Sequence, residues 1–252
     1  MNDVALAYDA AADAWATGSA RVYDALAAAI ADRAPDPTGH RALDIGAGTG
    51  VLGRHLLQRH AAHVVAVDLA GQMLRKAGSG VSPVIGDATA LPFADGAFDL
   101  AATAFCFSHL DHPEHSLREA RRVATALLSG SFAGDSDHPA KAAVDEVARR
   151  YGYTTPAWYL AMKGDHPMDH PERLTALARS AGFGSVDVET VHVDTGLTTR
   201  TDLAAWRLGM AQYALFLATL DSPALQALRR DVQSAVGGMP PLVVPVLVLT
   251  AS

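Results

Sequence analysis

Asp44, Asp68 and Asp87 each stand at or beside the end of a short apolar run, in "RALDI", "HVVAVDL" and "VSPVIGDA". The first run leads at once into "GAGTG". Carboxylates at strand ends, with a glycine turn after the first, are groups that can hold a small polar ligand. The glycines fit two frames. Gly46, Gly48 and Gly50 spell G-x-G-x-G, whereas Gly48, Gly50 and Gly53 spell G-x-G-x-x-G, the turn that cradles a pyrophosphate. In such a turn the first glycine follows the strand directly. The strand ends at Ile45, so that place belongs to Gly46. Asp44 would also repel a pyrophosphate in a site that relies on helix-terminal N–H groups to hold an anion. The G-x-G-x-G frame, and a cationic ligand, fit better.

S-adenosylmethionine carries an ammonium and a sulfonium, so a carboxylate beside the loop favours it. Asp68 can accept both ribose hydroxyls, although nicotinamide-binding proteins share that acid. Asp87 can take the adenine amino group while the Ala88 N–H reaches a ring nitrogen. A lone aspartate at a strand end is more often a cap or turn residue. Three after three successive strands, with the glycine loop, form a stronger combination. Gly53 is then a small residue that lets the next helix pack closely on the sheet.

The elements that position these residues alternate. Helical patterns over "VLGRHLLQRHA", "AGQMLRKAG" and "PEHSLREARRVA" separate apolar runs. This predicts an α/β fold with a mostly parallel sheet and helices on both faces. We read one domain over 1–252, with an N-terminal helical cap (1–36), a cofactor-binding core (40–135) and cap insertions over 136–171 and 198–238. "TDLAAWRLGMAQYALFLATL" reads as one long helix. "PPLVVPVLVLTA", broken by Pro245, is too short to span a bilayer and reads as a buried strand. Net charge is −7 over 252 residues, which argues against nucleic acid or an anionic membrane as partner. Cys106 is the single cysteine; no internal disulfide framework is available, as in a reducing cytoplasm. "MNDVALAYDAAADAW" lacks a signal-peptide pattern. A cytoplasmic location is expected, as a monomer or homodimer.

"LDIGAGTG", "VVAVDLAGQML", "VIGDATALPFADGAFDLA" and "FSHLDHPEHSLREARRV" together resemble the successive motifs of class I S-adenosylmethionine-dependent methyltransferases. The likeness is nearest to the branch with quinone-biosynthesis and natural-product enzymes. It is dense over about residues 40–123. The resemblance implies a Rossmann-like, seven-stranded sheet with an antiparallel last strand, and S-adenosylhomocysteine as product. It implies that Gly46, Ala47, Gly48 and Gly50 form the loop around the methionine end, that Asp68 and Leu69 take the ribose, and that Asp87 and Ala88 take the adenine. Met73 would pack on the adenine, Phe105 and Cys106 would lie under the methionine chain, and Tyr8 would touch the cofactor. One motif departs. The family's R-x-G-G turn after the helix ending near Val123 is missing from "RRVATALLSGSFAG". The course of the chain there stays open.

Methyl transfer needs a nucleophile held in line, water excluded and sometimes a proton removed. His109, beyond the fourth strand, is the candidate general base; packing or a backbone bond is the plain alternative for it. Asp-His-Pro occurs at 111–113, 137–139, 165–167 and 169–171. Proline favours the first helical position, so helix capping explains the repeats better than a metal site, and none is expected. His138 and His166 could still face substrate. Trp15, Trp158, Tyr159, Trp206 and Tyr213 suggest an apolar small-molecule pocket, with a secondary metabolite as substrate. The rival reading is an S-adenosylmethionine-binding cyclase or rearrangement enzyme that transfers no methyl group.

Overall fold

The computed structural model describes residues 3–134, 136–162 and 166–252. Its strands are β1 (Arg41–Ile45), β2 (His63–Asp68), β3 (Val81–Ile85), β4 (Phe98–Ala104), β5 (Ala124–Phe132), β6 (Val186–Asp194) and β7 (Val243–Ala251). They form one seven-stranded sheet in the order β3-β2-β1-β4-β5-β7-β6. β7 runs antiparallel to both its neighbours, β5 and β6, as expected for the last strand. The chain reverses from β3 on one side of β1 to β4 on the other, and such switch points open a crevice at the carboxyl ends of the strands. Pro245 is tolerated inside β7 because pairing with β5 stops one residue away, at Val246. Its missing N–H breaks no bond on that side.

The helices are α1 (Asp3–Thr17), α2 (Ala20–Ala31), α3 (Val51–Gln58), α4 (Gly71–Leu74), α5 (Pro113–Val123), α6 (Pro139–Arg150), α7 (Ala157–Ala161), α8 (Pro171–Ser180), α9 (Arg200–Leu208), α10 (Ala211–Leu217) and α11 (Ser222–Ala235). Strand side chains alternate between the two faces, and the core divides accordingly. Ala42, Leu100, Leu128 and Val246 join a cluster with α2, α3, α6, α9 and α11. Their neighbours Leu43, Ala101, Leu127 and Leu247 join one with α5 and α8. Each fully buried Leu or Val contributes about 1.5–3 kcal/mol.

The first 36 residues therefore have two parts. α2 lies in the layer against the sheet, while α1 packs on α10 and α4. The single long helix expected over 201–220 is instead α9 and α10, broken at Gly209. The reason is a close crossing. A Cβ on Gly18 would come within 2.4 Å of the Ala205 carbonyl oxygen, and one on Gly209 within 2.9 Å of Ser19 Oγ. Ser19 Oγ donates to the Trp206 carbonyl at 3.0 Å and locks the corner. The chain around Val123 also resolves. α5 passes straight into β5, with Ala124 already extended (φ −142, ψ 153), so the missing turn is replaced by none.

Candidate active site

All three glycines of the G-x-G-x-G frame have positive φ, at 66, 53 and 70° for Gly46, Gly48 and Gly50. L-residues with side chains rarely adopt that region. Gly53 sits inside α3 without this need. Its backbone N–H donates to Asp44 Oδ2 at 2.9 Å, and a Cβ there would lie 2.9 Å from Val64. So close packing explains Gly53, and the turn explains the other three. Gly46 meets a second constraint: a Cβ would stand 2.3 Å from Cys106 Cβ and Sγ.

The loop N–H groups are turned inward. Gly46 and Ala47 donate to the Val67 carbonyl at 2.8 and 3.1 Å, and Gly50 to Ala47 at 2.7 Å. Gly48 donates to Asp68 Oδ2 at 2.7 Å, and Ala70 to Asp68 Oδ1 at 2.8 Å. A carboxylate oxygen has further lone pairs, so Asp68 is oriented with acceptor capacity left. Asp87 Oδ1 accepts from the Thr89 N–H and hydroxyl, both at 2.8 Å. The loop after β3 is fixed by Glu119, which accepts the Leu91 N–H, and by Arg122, which donates to the Leu91 and Phe93 carbonyls.

A cleft of about 160 Å³ opens among these groups. Tyr8, Asp44, Gly46, Ala47, Gly48, Asp68, Leu69, Met73, Asp87, Ala88, Phe105 and Cys106 line it, with Trp15, Tyr23 and His109. Gly50 does not; it is the N-cap of α3. Among the described lining residues there is no lysine or arginine. With three carboxylates and with its glycine N–H groups bonded internally, the cleft fits the cationic S-adenosylmethionine and not a pyrophosphate. Burial pushes the Asp44 carboxyl up to about 7, opposed by the Gly53 N–H bond. Burial raises Asp68 too, against the Ala70 and Gly48 bonds. Both carboxylates would gain from a cation beside them.

A second cavity, about 650 Å³, lies beyond, within the size range of small-molecule sites. Tyr8, Tyr23, Phe105 and His109 line both spaces. Phe105, just after β4, has φ 63°, a conformation that costs a non-glycine residue about 1–3 kcal/mol and clusters at functional sites. It stacks on Phe132 at 4.3 Å and meets Tyr23 edge-on at 5.5 Å. Tyr8 Oη is 3.0 Å from His109 Nε2, and His109 Nδ1 is 3.0 Å from Met162 Sδ. Burial, helped by His166, holds the His109 pKa down to about 4. The imidazole is neutral at pH 7.

His138, Trp158, Tyr159, His166 and Trp206 also line the larger cavity. The two histidines are committed elsewhere. His138 Nδ1 accepts from Ala140 N–H and Nε2 faces the Pro240 carbonyl at 3.1 Å. His166 repeats this with Met168 N–H and the Leu110 carbonyl. Both precede a proline that begins a helical turn, so in these two repeats the histidine caps. His112 and His170 precede helices without a side-chain cap bond, and Asp165 lies outside the described residues. Tyr213 does not line the cavity; it is buried behind the wall, donating to Asp145. Sequence reasoning passed over Asp145, Arg207 and Gln212, which do line it. A charged residue inside the apolar runs "AAVDEVA" and "LAAWRLG" was the available signal.

A family model described as "Methyltransferase domain" matches residues 43–126. A malonyl-(acyl-carrier protein) O-methyltransferase of Geobacter sulfurreducens is 32% identical over 190 residues, 70% of this chain and 67% of that protein. A demethylmenaquinone methyltransferase of Renibacterium salmoninarum is 36% identical over 49% of this chain, and the match spans about half of that relative, 52%. Among solved structures, one titled as a putative methyltransferase from an antibiotic biosynthesis pathway of Anabaena variabilis aligns with a TM-score of 0.63 at 16% identity. It covers 88% of this chain and 95% of its own. No helix among the described residues is long and apolar enough to cross a membrane.

Proposed function

The chain belongs to the class I S-adenosylmethionine-dependent methyltransferases, and from that premise we propose that it methylates a small organic molecule, a secondary metabolite, held in the larger cavity. The observation that carries this reading is the shared wall: Tyr8, Tyr23, Phe105 and His109 border both the acid-lined cleft and the larger cavity. A cofactor on one side of these residues and a substrate on the other would be neighbours there. Bound S-adenosylmethionine supplies the activated methyl group. Asp68 would hold the ribose, Asp87 and the Ala88 N–H the adenine, and Asp44 would place negative charge near the methionine end. Tyr8 and Trp15, on α1, would exclude water from the cleft. The substrate is a small organic molecule and not a nucleic acid, and the enzyme works in the cytoplasm.

His109 is the group placed to take a proton. Its Nε2 lies 3.0 Å from the Tyr8 hydroxyl, and with the proton on Nδ1, toward Met162 Sδ, it accepts the Tyr8 O–H. A substrate hydroxyl or amine that replaces Tyr8 at Nε2 would lose its proton there as the new bond forms. His109→Gln should lower kcat about a hundredfold while S-adenosylhomocysteine affinity, read by calorimetry, stays unchanged. Unchanged kcat would leave His109 a packing residue.

The reaction itself is tested by isotope. The protein is incubated with methyl-deuterated S-adenosylmethionine and a small-molecule extract of its host, and products are compared by mass spectrometry with a heat-killed control. A labelled product is expected, and its fragments identify the methylated atom. An unlabelled product that forms only with cofactor present would replace methyl transfer with cyclisation or rearrangement.

A further inference from the structure

The imidazole of His109 can take a proton only at a ring nitrogen that carries none. Which nitrogen is bare depends on what each one faces. Nε2 stands 3.0 Å from Tyr8 Oη, at the wall that the two cavities share. Nδ1 stands 3.0 Å from Met162 Sδ. Carboxylates and backbone carbonyls are the common anchors of a histidine N–H. Neither kind reaches this ring among the described residues, whose side-chain partners for it are Tyr8 and Met162.

The two partners differ in kind. A tyrosine hydroxyl donates and accepts, so it fits either tautomer, whereas a thioether sulfur only accepts. Against Met162 an N–H makes a bond, while a bare nitrogen would set lone pair against lone pair. The contact selects Nδ1–H, and Tyr8 adapts by donating to Nε2. The other two histidines of the larger cavity make the opposite choice. Nδ1 of His138 and of His166 accepts a backbone N–H, so their protons sit on Nε2, toward the Pro240 and Leu110 carbonyls. Their lone pairs are spent within the fold, and that of His109 faces the shared wall. Met162, the C-cap of α7, lines the larger cavity. Its sulfur holds the ring without adding charge. A carboxylate in its place would raise the His109 pKa, which burial now holds low.

Resting on the reading of His109 as the proton acceptor, we propose that Met162 is a positioning residue for the transfer, its sulfur holding the His109 proton on Nδ1 so that Nε2 stays bare for the substrate. A substrate O–H or N–H that replaces Tyr8 gives its proton to Nε2, and the electron pair of the broken bond stays on the substrate atom. The imidazolium so formed keeps its Nδ1–H on sulfur.

Nuclear magnetic resonance of the full chain, labelled with nitrogen-15 in its histidines, tests this at pH 8, where ordinary imidazoles are neutral. Couplings between ring nitrogens and carbon-bound protons report which nitrogen carries hydrogen. Single changes to Gln identify the signals of His109, His138 and His166. His109 should be Nδ1–H in the wild-type protein, and His138 and His166 Nε2–H. Tyr8→Phe should leave His109 unchanged. Adding Met162→Leu to Tyr8→Phe should lower the His109 ratio of Nδ1–H to Nε2–H at least about fivefold, through loss of one hydrogen bond. Met162→Glu in the same background supplies an acceptor and should restore the ratio. Unchanged His138 and His166 signals show in each spectrum that the fold has survived. Nε2–H at His109 in the wild type, a switch caused by Tyr8→Phe alone, or Nδ1–H that survives Met162→Leu in the double variant overturns the proposal. These readouts need no turnover. If they hold while His109→Gln leaves kcat unchanged, the base reading fails instead, and Met162 selects a tautomer that the reaction does not use.

Discussion

The two cavities that meet at Tyr8 and His109 are built in opposite ways. In the smaller cleft, the polar groups come from the ends of successive strands and the loops after them, and the backbone bonds that hold Asp44, Asp68 and Asp87 leave their carboxylates with acceptor capacity. In the larger cavity the polar groups come from α6, α9, α10 and the segment around α7, far apart in sequence. There Asp145 and Arg207 answer each other, and His138 and His166 answer the backbone. One side presents negative charge to a cation; the other holds a buried, neutralised ion pair. The difference teaches that a fixed ligand can be held by motif, whereas a variable one is met by whatever the helical segments bring together.

The comparison breaks most readily at the ion pair. Arg207→Met should destabilise the protein by about 3–5 kcal/mol in urea unfolding, because Asp145 stays buried without its cation. The double substitution Arg207→Met with Asp145→Leu should recover most of that loss. A double variant no more stable than the single would show that the pair is needed for folding. On the other side, Gly46→Ala should cost about 2–4 kcal/mol through left-handed strain and collision with Cys106. Gly53→Ala, lacking the strain, should cost less; the reverse order would undo the choice of frame.

Asp68→Ala sharpens the contrast in binding. Loss of charge-assisted hydrogen bonds worth about 1.5–3 kcal/mol should weaken S-adenosylmethionine by at least tenfold in calorimetry. The smallest effect is a pH dependence. The Asp44 carboxyl titrates near 7 in the folded protein but near 4 when unfolded. Between those values the native state holds more protons, so the ligand-free protein is most stable below about pH 4 with respect to this group and loses stability as pH rises through 7. A cation prefers the ionised carboxylate, so S-adenosylmethionine should bind more tightly as pH rises from 5 to 8, with proton release on binding near pH 6 to 7. Asp44→Asn should flatten both trends; a slope that survives it would assign the effect to another group.

Much of the sheet was legible in the sequence because its first three strands are short apolar runs with glycine or aspartate at or just after their ends. The cleft was legible for the same reason: Gly46, Asp68 and Asp87 are local signals. The break at Gly209 was not, since it arises from a crossing with Gly18, some 190 residues away. The Arg207–Asp145 pair was hidden likewise, and Tyr23, which borders both cavities, belongs to no motif. His138 and His166 show the converse. Their Asp-His-Pro spacing was plain, but only the fold reveals that both ring nitrogens are engaged by backbone.

The central claim is that the cofactor's methyl group sits where the two cavities share a wall. The direct test is a nuclear Overhauser experiment on the protein bound to S-adenosylmethionine labelled with carbon-13 in its methyl group. Contacts from that methyl to the ring protons of Tyr8, Tyr23 and His109 are expected, and Tyr8→Phe should retain them. A bound methyl with no contact to any of these rings would contradict the shared wall and with it the proposed route of transfer.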